Sequence, residues 1–414
     1  MNDPANTSDG IGRLVGDFYE SHPYPPPADD LDAYRRTWDD RRRRADSHLF
    51  FPSEPYRDHR SILVAGCGTM QAAHYALRWP RAQVVGIDVS AASLAYAQKL
   101  KAKYGLDNLE LRELPVERAA DLGRRFEYVV CTGVLHHLPD PDAGLRALRE
   151  VLEPGGAAHL MLYAPYGRAG VYVLQEYCRR LGIGWSESDV RDLAATLKAL
   201  PPDHPIVRLL RTSPDFADKA GLADALLHPR DRAYTVDQTM AFLERAGLHF
   251  GRWIRQAPYL PDCGAIAATP HRPLLDRLTP QERFAAMELF RGTMVRHNFV
   301  AYRNGANAPD TPSFEGDAWL AYVPIRLPDT IAVRERLPPG STAVLLNRNH
   351  TYGDLYLPVD KLREQLLKGI DGERTIGRIF RPLAGRDVAR DFFLQLWQWD
   401  QVVFDTSRAG VAPA

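Results

Sequence analysis

The chain has 414 residues, enough for two or three domains and a substantial core. Its 52 basic and 52 acidic residues cancel, so no global field draws it to nucleic acid or to an anionic membrane, and neither partner is expected. The polar opening MNDPANTSDG lacks the apolar stretch of a secretory signal, and no apolar run nears the roughly 20 residues needed to span a bilayer.

Residues 1–59 form an expected N-terminal arm, Pro-rich and aromatic in DFYESHPYPPP, with a charged stretch at Arg41–Arg44. Because Asp39 and Asp40 directly precede the four arginines, a solvated helix face is expected there. From Arg60 the pattern alternates. SILVAGCG is a short apolar run ending in glycines, MQAAHYALRW has helical period, and AQVVGIDVS is a second buried strand. SAASLAYAQKLKAKYG is a helix with Ser90 as N-cap and Gly105 as its stop. LELREL and FEYVVCTG are the third and fourth strands, Pro141–Leu152 is a helix ended by Pro154-Gly155-Gly156, and AAHLMLYA is the fifth strand. Strands alternating with helices of this length predict βαβ units around a parallel sheet. About 166–232 reads as a helical insertion broken at Pro201–Pro205, and LHFGRWI and HNFVAYR as two late strands separated by the helix QERFAAMELFRGTM.

The polar linker NGANAPDTP then separates the expected core, 60–304, from a C-terminal domain, 311–414. In that domain STAVLLNR and DLYLPVD are strands, Lys361–Ile370 is a helix, and QVVFDTS is a closing strand. Ile376, Ile379, Phe380 and Leu383 recur at helical spacing, as do Val388, Phe392, Leu396 and Trp399. The order predicts a small winged-helix-like α+β module. With 13 basic and 13 acidic residues, it is expected to pack or to dock a peptide, not to bind DNA. The four cysteines, Cys67, Cys131, Cys178 and Cys263, are widely spaced and form no CxxC or Cys/His cluster, so free cytoplasmic thiols and no metal are expected.

Chemistry concentrates in Ile62–Met70. A strand emptying into Gly66-Cys67-Gly68 permits a tight turn and close approach of backbone to a ligand. Asp88, twenty residues after Gly68 and at the end of the next strand, can accept both hydroxyls of a ribose. Its rival role, capping the following helix, suits Ser90 better. GCGTMQ lacks the third glycine of the dinucleotide fingerprint, which favours a nucleoside without a pyrophosphate.

With these residues stand Val129-Val130-Cys131-Thr132-Gly133-Val134-Leu135-His136-His137-Leu138-Pro139-Asp140 and Leu152-Glu153-Pro154-Gly155-Gly156. Taken in order with Ala65–Thr69 and Asp88, they resemble the core of class I S-adenosylmethionine-dependent methyltransferases over residues 60–165. Tyr163–Arg168 and Tyr19–Pro27 resemble bacterial multidomain members, some of which methylate protein lysines. The resemblance implies a Rossmann-like methyltransferase sheet. It also implies S-adenosylmethionine as cofactor and S-adenosylhomocysteine as product. On that reading Ala65, Gly66, Cys67, Gly68 and Thr69 border the methionine and ribose portions, Asp88 holds the ribose and Val89 packs on adenine. Leu114, Pro115 and Val116 flank the adenine edge. Cys131, Thr132 and Gly133 lie along the methionine part, and His136 lies near the methyl group. The chain departs from the pattern at Ala65 and Pro115, where the family carries an acid, and at Met70, where it often carries glycine.

The transfer is an in-line displacement, and a protonated nucleophile needs a base. Candidates are His136, His137, Tyr163, Tyr19 and Tyr24, with His22 beside them. The N-terminal segment is read either as a lid or as an arm packed on the sheet edge. Four functions compete: methylation of a protein or peptide side chain on O or N, with the C-terminal module gripping the polymer; methylation of a small specialised metabolite; an NAD(P)-dependent oxidoreductase; and a non-catalytic relative.

Overall fold

The computed structural model describes residues 8–305, 311–381 and 383–408. Most of the expected linker, 306–310, and the outer ends of the expected arm and C-terminal domain, 1–7 and 409–414, lie outside the described residues.

The main sheet has seven strands: β1 (Ser61–Ala65), β2 (Gln83–Asp88), β3 (Leu109–Glu113), β4 (Phe126–Thr132), β5 (Leu152–Tyr163), β6 (Leu248–Trp253) and β7 (Arg296–Arg303), in the spatial order β3-β2-β1-β4-β5-β7-β6. β1 pairs in parallel with both β2 and β4, β2 with β3, and β4 with β5. Ile62, Leu63, Val64 and Ala65 are all buried, as a central strand covered on both faces requires. Chain order reverses direction on either side of β1, so the carboxyl ends of β1 and β4 open the crevice where ligands of such sheets bind.

The local signals act as expected. Ser90 accepts the N–H of Ser93 at 3.0 Å and caps the helix Ala91–Tyr104, which Gly105 ends at φ 59°. Asp140 caps the helix Pro141–Val151 by accepting the Ala143 N–H at 2.9 Å, with proline at the first turn where no N–H is needed. The stop expected at Pro154-Gly155-Gly156 takes another form. The helix ends at Val151, and β5 already begins at Leu152, which pairs with Phe126. The extra residues are absorbed by a register shift between Phe126 and Tyr128, with Gly155 at φ 82°.

The chain divides into two compact units whose limits differ from the expected boundaries. One comprises 1–35, 59–249 and 292–298; the other comprises 36–58, 250–291 and 299–414. The expected arm is thus split between them. The first unit also carries the expected helical insertion, as the helices Ala169–Arg180, Glu187–Leu197, Val207–Thr212 and Lys219–Leu227. Phe18, from the N-terminal helix Ser8–Ser21, is buried among Val171, Leu174, Leu222 and Leu226 of these helices. The N-terminal segment is therefore rooted in a hydrophobic cluster.

The second unit contains two short strand pairings besides its share of the large sheet. β8 (Val323–Arg326) pairs antiparallel with β12 (Val402–Asp405), and β9 (Thr330–Val333), β10 (Ala343–Asn347) and β11 (Leu357–Val359) form a three-stranded antiparallel sheet. β8 and β9 carry no alternating pattern longer than four residues, which is why they are not legible in the sequence. The expected helices lie at Lys361–Lys368, Ile376–Phe380 and Arg386–Gln398, and close on β12. Asp400 is fully buried and organises a turn by accepting the N–H groups of Gln256 and Ala257 at 3.1 and 3.0 Å and facing His350 Nε2 at 3.0 Å. The arginine run lies in the helix Asp40–Phe50, capped by Asp39, and Arg42 pairs with Asp329 at 2.8 Å. No helix among the described residues is long and apolar enough to cross a membrane.

Candidate active site

At the carboxyl ends of β1, β2 and β4 a cavity of about 320 Å³ opens in the first unit. Its floor is the glycine turn. Gly66 and Gly68 have φ of 67° and 54°, in the left-handed region that side chains disfavour. A Cβ on Gly66 would lie 2.3 Å from Val134, and one on Gly68 would lie 2.6 Å from the carbonyl oxygen of Tyr24. Both glycines are therefore required by close approach as well as by backbone angle.

Asp88 accepts the N–H of Gly68 at 2.7 Å on Oδ2 and that of Ser90 at 2.9 Å on Oδ1. Burial raises its pKa, and these backbone donors hold it back. Each oxygen keeps a lone pair for a further donor. Asp88, Gly66, Gly68, Val89, Leu114 and Val116 all line the cavity, with Val89 still 41% exposed. The lining therefore offers two acceptor oxygens, which suit vicinal hydroxyls, and apolar edges, which suit a flat base.

Cys67, Thr132 and Gly133 line the cavity too. Ala65, Thr69, Pro115, Cys131 and His136 do not appear on its wall. Thr69 donates instead to the carbonyl of Pro25 at 2.6 Å, tying the N-terminal segment over the turn. Cys67 and Cys131 are buried, and burial pushes both thiols up, which suits fillers and not nucleophiles. Gln71 joins the two motifs by donating to Thr132 at 2.6 Å.

The other end of the cavity is polar and aromatic. Tyr19, Tyr24, His137, Tyr163, Asp215 and Asp224 line it. Tyr19 donates to Asp224 at 3.0 Å, Tyr24 to Asp215 at 2.9 Å, and Tyr163 to Asp224 at 3.5 Å. Burial and the adjacent carboxylates push all three phenols above the usual tyrosine range. A phenolate here would face a carboxylate, which disfavours these tyrosines as bases. Arg168 stacks 3.6 Å over the Tyr163 ring and is neutralised by Asp231 at 2.8 Å. His22 is not on this wall; it lines a separate surface depression with Pro23 and Trp185.

The two adjacent histidines differ. His136 is fully buried, neither ring nitrogen finds a hydrogen-bond partner among the described residues, and burial drives its pKa well down. It is a neutral packing ring against Tyr163. His137 reaches the cavity, and its Nδ1 lies 2.6 Å from the carbonyl oxygen of Arg230. A carbonyl only accepts, so Nδ1 carries the proton and Nε2 keeps the lone pair.

His137, Asp224 and His228 bring one potential ligand atom each to within 4.8 Å of one another. A metal needs a lone pair from every ligand. His228 Nδ1 already accepts the Arg230 N–H at 3.1 Å, and burial keeps the ring neutral, so its proton lies on Nε2. That ring has no lone pair left to offer, and the set does not suit a metal.

His74, also on the cavity wall, stacks on Tyr34 at 4.1 Å, and burial with the nearby Arg78 lowers its pKa to about 4. A histidine depressed from 6.5 on folding stabilises the fold when neutral. That contribution is complete above the unfolded value and is lost as pH falls toward about 4, up to about 3 kcal/mol in all. The melting temperature of the wild type should therefore fall relative to that of His74→Asn as the pH drops from 7 to 4; parallel curves would contradict the assignment.

Residues 63–158 match the family model described as a methyltransferase domain. The chain carries a class I, S-adenosylmethionine-dependent methyltransferase domain. Its likeness to an uncharacterised protein of Synechococcus sp. is 29% identity over 77% of this chain and 78% of that one. Its likeness to a ubiquinone biosynthesis O-methyltransferase of Pseudomonas entomophila is 35% identity, confined to 23% of this chain and 41% of that enzyme. Among solved structures, PKMT2 from Rickettsia typhi in complex with AdoHcy superposes with a TM-score of 0.58 at 16% identity, over 91% of this chain and 73% of that one.

Asp215 and Asp224 were not legible in the sequence. They lie in the helical insertion, outside any motif, and only the fold brings them to β4 and β5.

Proposed function

We propose that the chain transfers the methyl group of S-adenosylmethionine to an N or O nucleophile of a protein or peptide side chain. The observation that carries this reading is the polar acceptor end, where Tyr19, Tyr24, Tyr163, His137, Asp215 and Asp224 converge in place of the apolar wall that a hydrophobic small acceptor would require. The open depression lined by His22, Pro23 and Trp185 supports it further, since His22 and Pro23 directly precede Tyr24 and Pro25 of the cavity wall in the chain.

The residues fit the cofactor. Gly66, Gly68, Asp88, Val89, Leu114 and Val116 hold its adenosine end. Thr132, Gly133, Gln71 and Arg296 line the wall left for the methionine part, so Ala65 need not supply an acid. When bound, S-adenosylmethionine supplies an activated methyl group. The chain aligns the acceptor, Tyr19 and Tyr163 orient it by hydrogen bonds, and Tyr24–Pro25 excludes water above Gly68. His137 Nε2 takes the acceptor's proton. Buried, unpaired thiols at all four cysteines accord with work in the cytoplasm.

The test is transfer of labelled methyl to a peptide array and, in parallel, to a panel of phenolic and amine metabolites. Label on peptides is expected. Label confined to the small molecules would replace the polymer reading with a metabolite one.

A further inference from the structure

Taking a proton onto His137 creates a cation in a buried site, and a buried cation is costly unless an anion faces it. The anions around the cavity are nearly all engaged. Asp88 supports the glycine turn through Gly68 and Ser90. Asp231 neutralises Arg168 at 2.8 Å. Asp215 accepts from Tyr24 and Ser213, both at 2.9 Å. Asp224 is different. Like Asp215 it makes no ion pair among the described residues and is met by hydroxyls, those of Tyr19 and Tyr163, but unlike Asp215 it is buried. It also lies in the group of ligand atoms within 4.8 Å that includes His137.

We propose that Asp224 is a positioning residue of the transfer reaction, the counter-charge for the imidazolium that His137 becomes. The inference rests on the reading of His137 as the base. In the step, the bond from the acceptor atom to the methyl carbon forms as the carbon–sulfur bond breaks, and that electron pair goes to sulfur. The acceptor's proton passes to Nε2 of His137. Asp224 stays a carboxylate and opposes the new charge, and the proton leaves to water with the product. The surroundings hold this geometry. Arg230 fixes the His137 tautomer through its carbonyl, and the same residue's N–H fixes His228. The His228 ring lies tilted against His137 with centroids 3.9 Å apart and limits its rotation. Tyr19 and Tyr163 hold the two carboxylate oxygens from two other elements. The remaining charged groups around Asp224 are Arg168 and Asp231, which compensate each other.

The experiment is a double-mutant cycle, His137→Gln, Asp224→Asn and the pair, read as kcat and KM on whichever acceptor class the wild type methylates. Calorimetric binding of S-adenosylmethionine and melting temperature are measured on each protein. If the two residues act as a unit, each single change should lower kcat by about 100-fold, and the pair should fall no more than about threefold below the weaker single variant. Cofactor affinity should stay within about threefold, because Asp224 lies at the acceptor end. Asp224→Glu should recover part of kcat, and it replaces Asp224→Asn in the cycle should that variant not fold. Independent effects that multiply to about 10,000-fold, or a kcat for Asp224→Asn within about threefold of wild type, would overturn the proposal while leaving the methyltransferase reading intact. A wild type that methylates no acceptor at all would overturn both.

Discussion

Asp88→Ala should weaken S-adenosylmethionine binding by about 100-fold or more and leave a folded protein. The two carboxylate oxygens are already half-used, one by the Gly68 N–H and one by the Ser90 N–H. Those bonds aim the remaining lone pairs into the cavity that Asp88 lines. Hydrogen bonds to a charged acceptor are worth about 1.5–3 kcal/mol each. Two ribose hydroxyls therefore account for at least about 3 kcal/mol, or about 100-fold in Kd. The fold should tolerate the change because Ser90 itself caps the helix Ala91–Tyr104. Asp88→Asn keeps the shape but only one acceptor oxygen, and should fall between. Calorimetry with melting temperatures decides it; a loss below about threefold at unchanged stability would remove Asp88 from the cofactor site.

The second large effect is expected at His137. His137→Gln should reduce kcat by about 100-fold or more with cofactor affinity nearly unchanged, since general-base contributions run from about 10²- to 10⁴-fold. The argument is one of tautomer and access. The Arg230 carbonyl accepts from Nδ1–H, so the lone pair of the neutral ring is on Nε2, and the ring lines the acceptor end. Its neighbour serves as the internal control. His136 has no wall on the cavity and no hydrogen-bond partner among the described residues. His136→Phe keeps the ring contact with Tyr163 and removes a buried donor that burial leaves unsatisfied. It should keep kcat within about threefold and should not lower the melting temperature. Equal losses from both variants would show that the pair acts only through packing.

What the sequence made legible follows from what short-range physics encodes. The glycine turn, Asp88, the Ser90 cap and the Gly105 stop are each set by neighbours within a few residues, and each lies where its local chemistry requires. The fourth-strand motif likewise leads from β4 to the cavity at Thr132 and Gly133. Local reading could not separate His136 from His137, because which ring faces the cavity depends on the three-residue turn Leu135–His137 and on Arg230, ninety-three residues away. Nor could it show the acids that hold the tyrosines. Tyr19 meets Asp224 across 205 residues and Tyr24 meets Asp215 across 191. The compact units divide the chain at other points than the composition suggests, for a related reason. The arm looked continuous through residue 59, yet its apolar residues divide, Phe18 burying against the insertion helices and residues 36–58 joining the second unit.

The central claim is that the cavity at the ends of β1, β2 and β4 is built for an adenosyl sulfonium and not for a dinucleotide. It is tested most directly by calorimetric titration of the purified protein with S-adenosylmethionine, S-adenosylhomocysteine and NAD(P)H. The account predicts micromolar binding of both adenosyl compounds and none of the dinucleotide. Binding of NAD(P)H with no response to either adenosyl compound would contradict it.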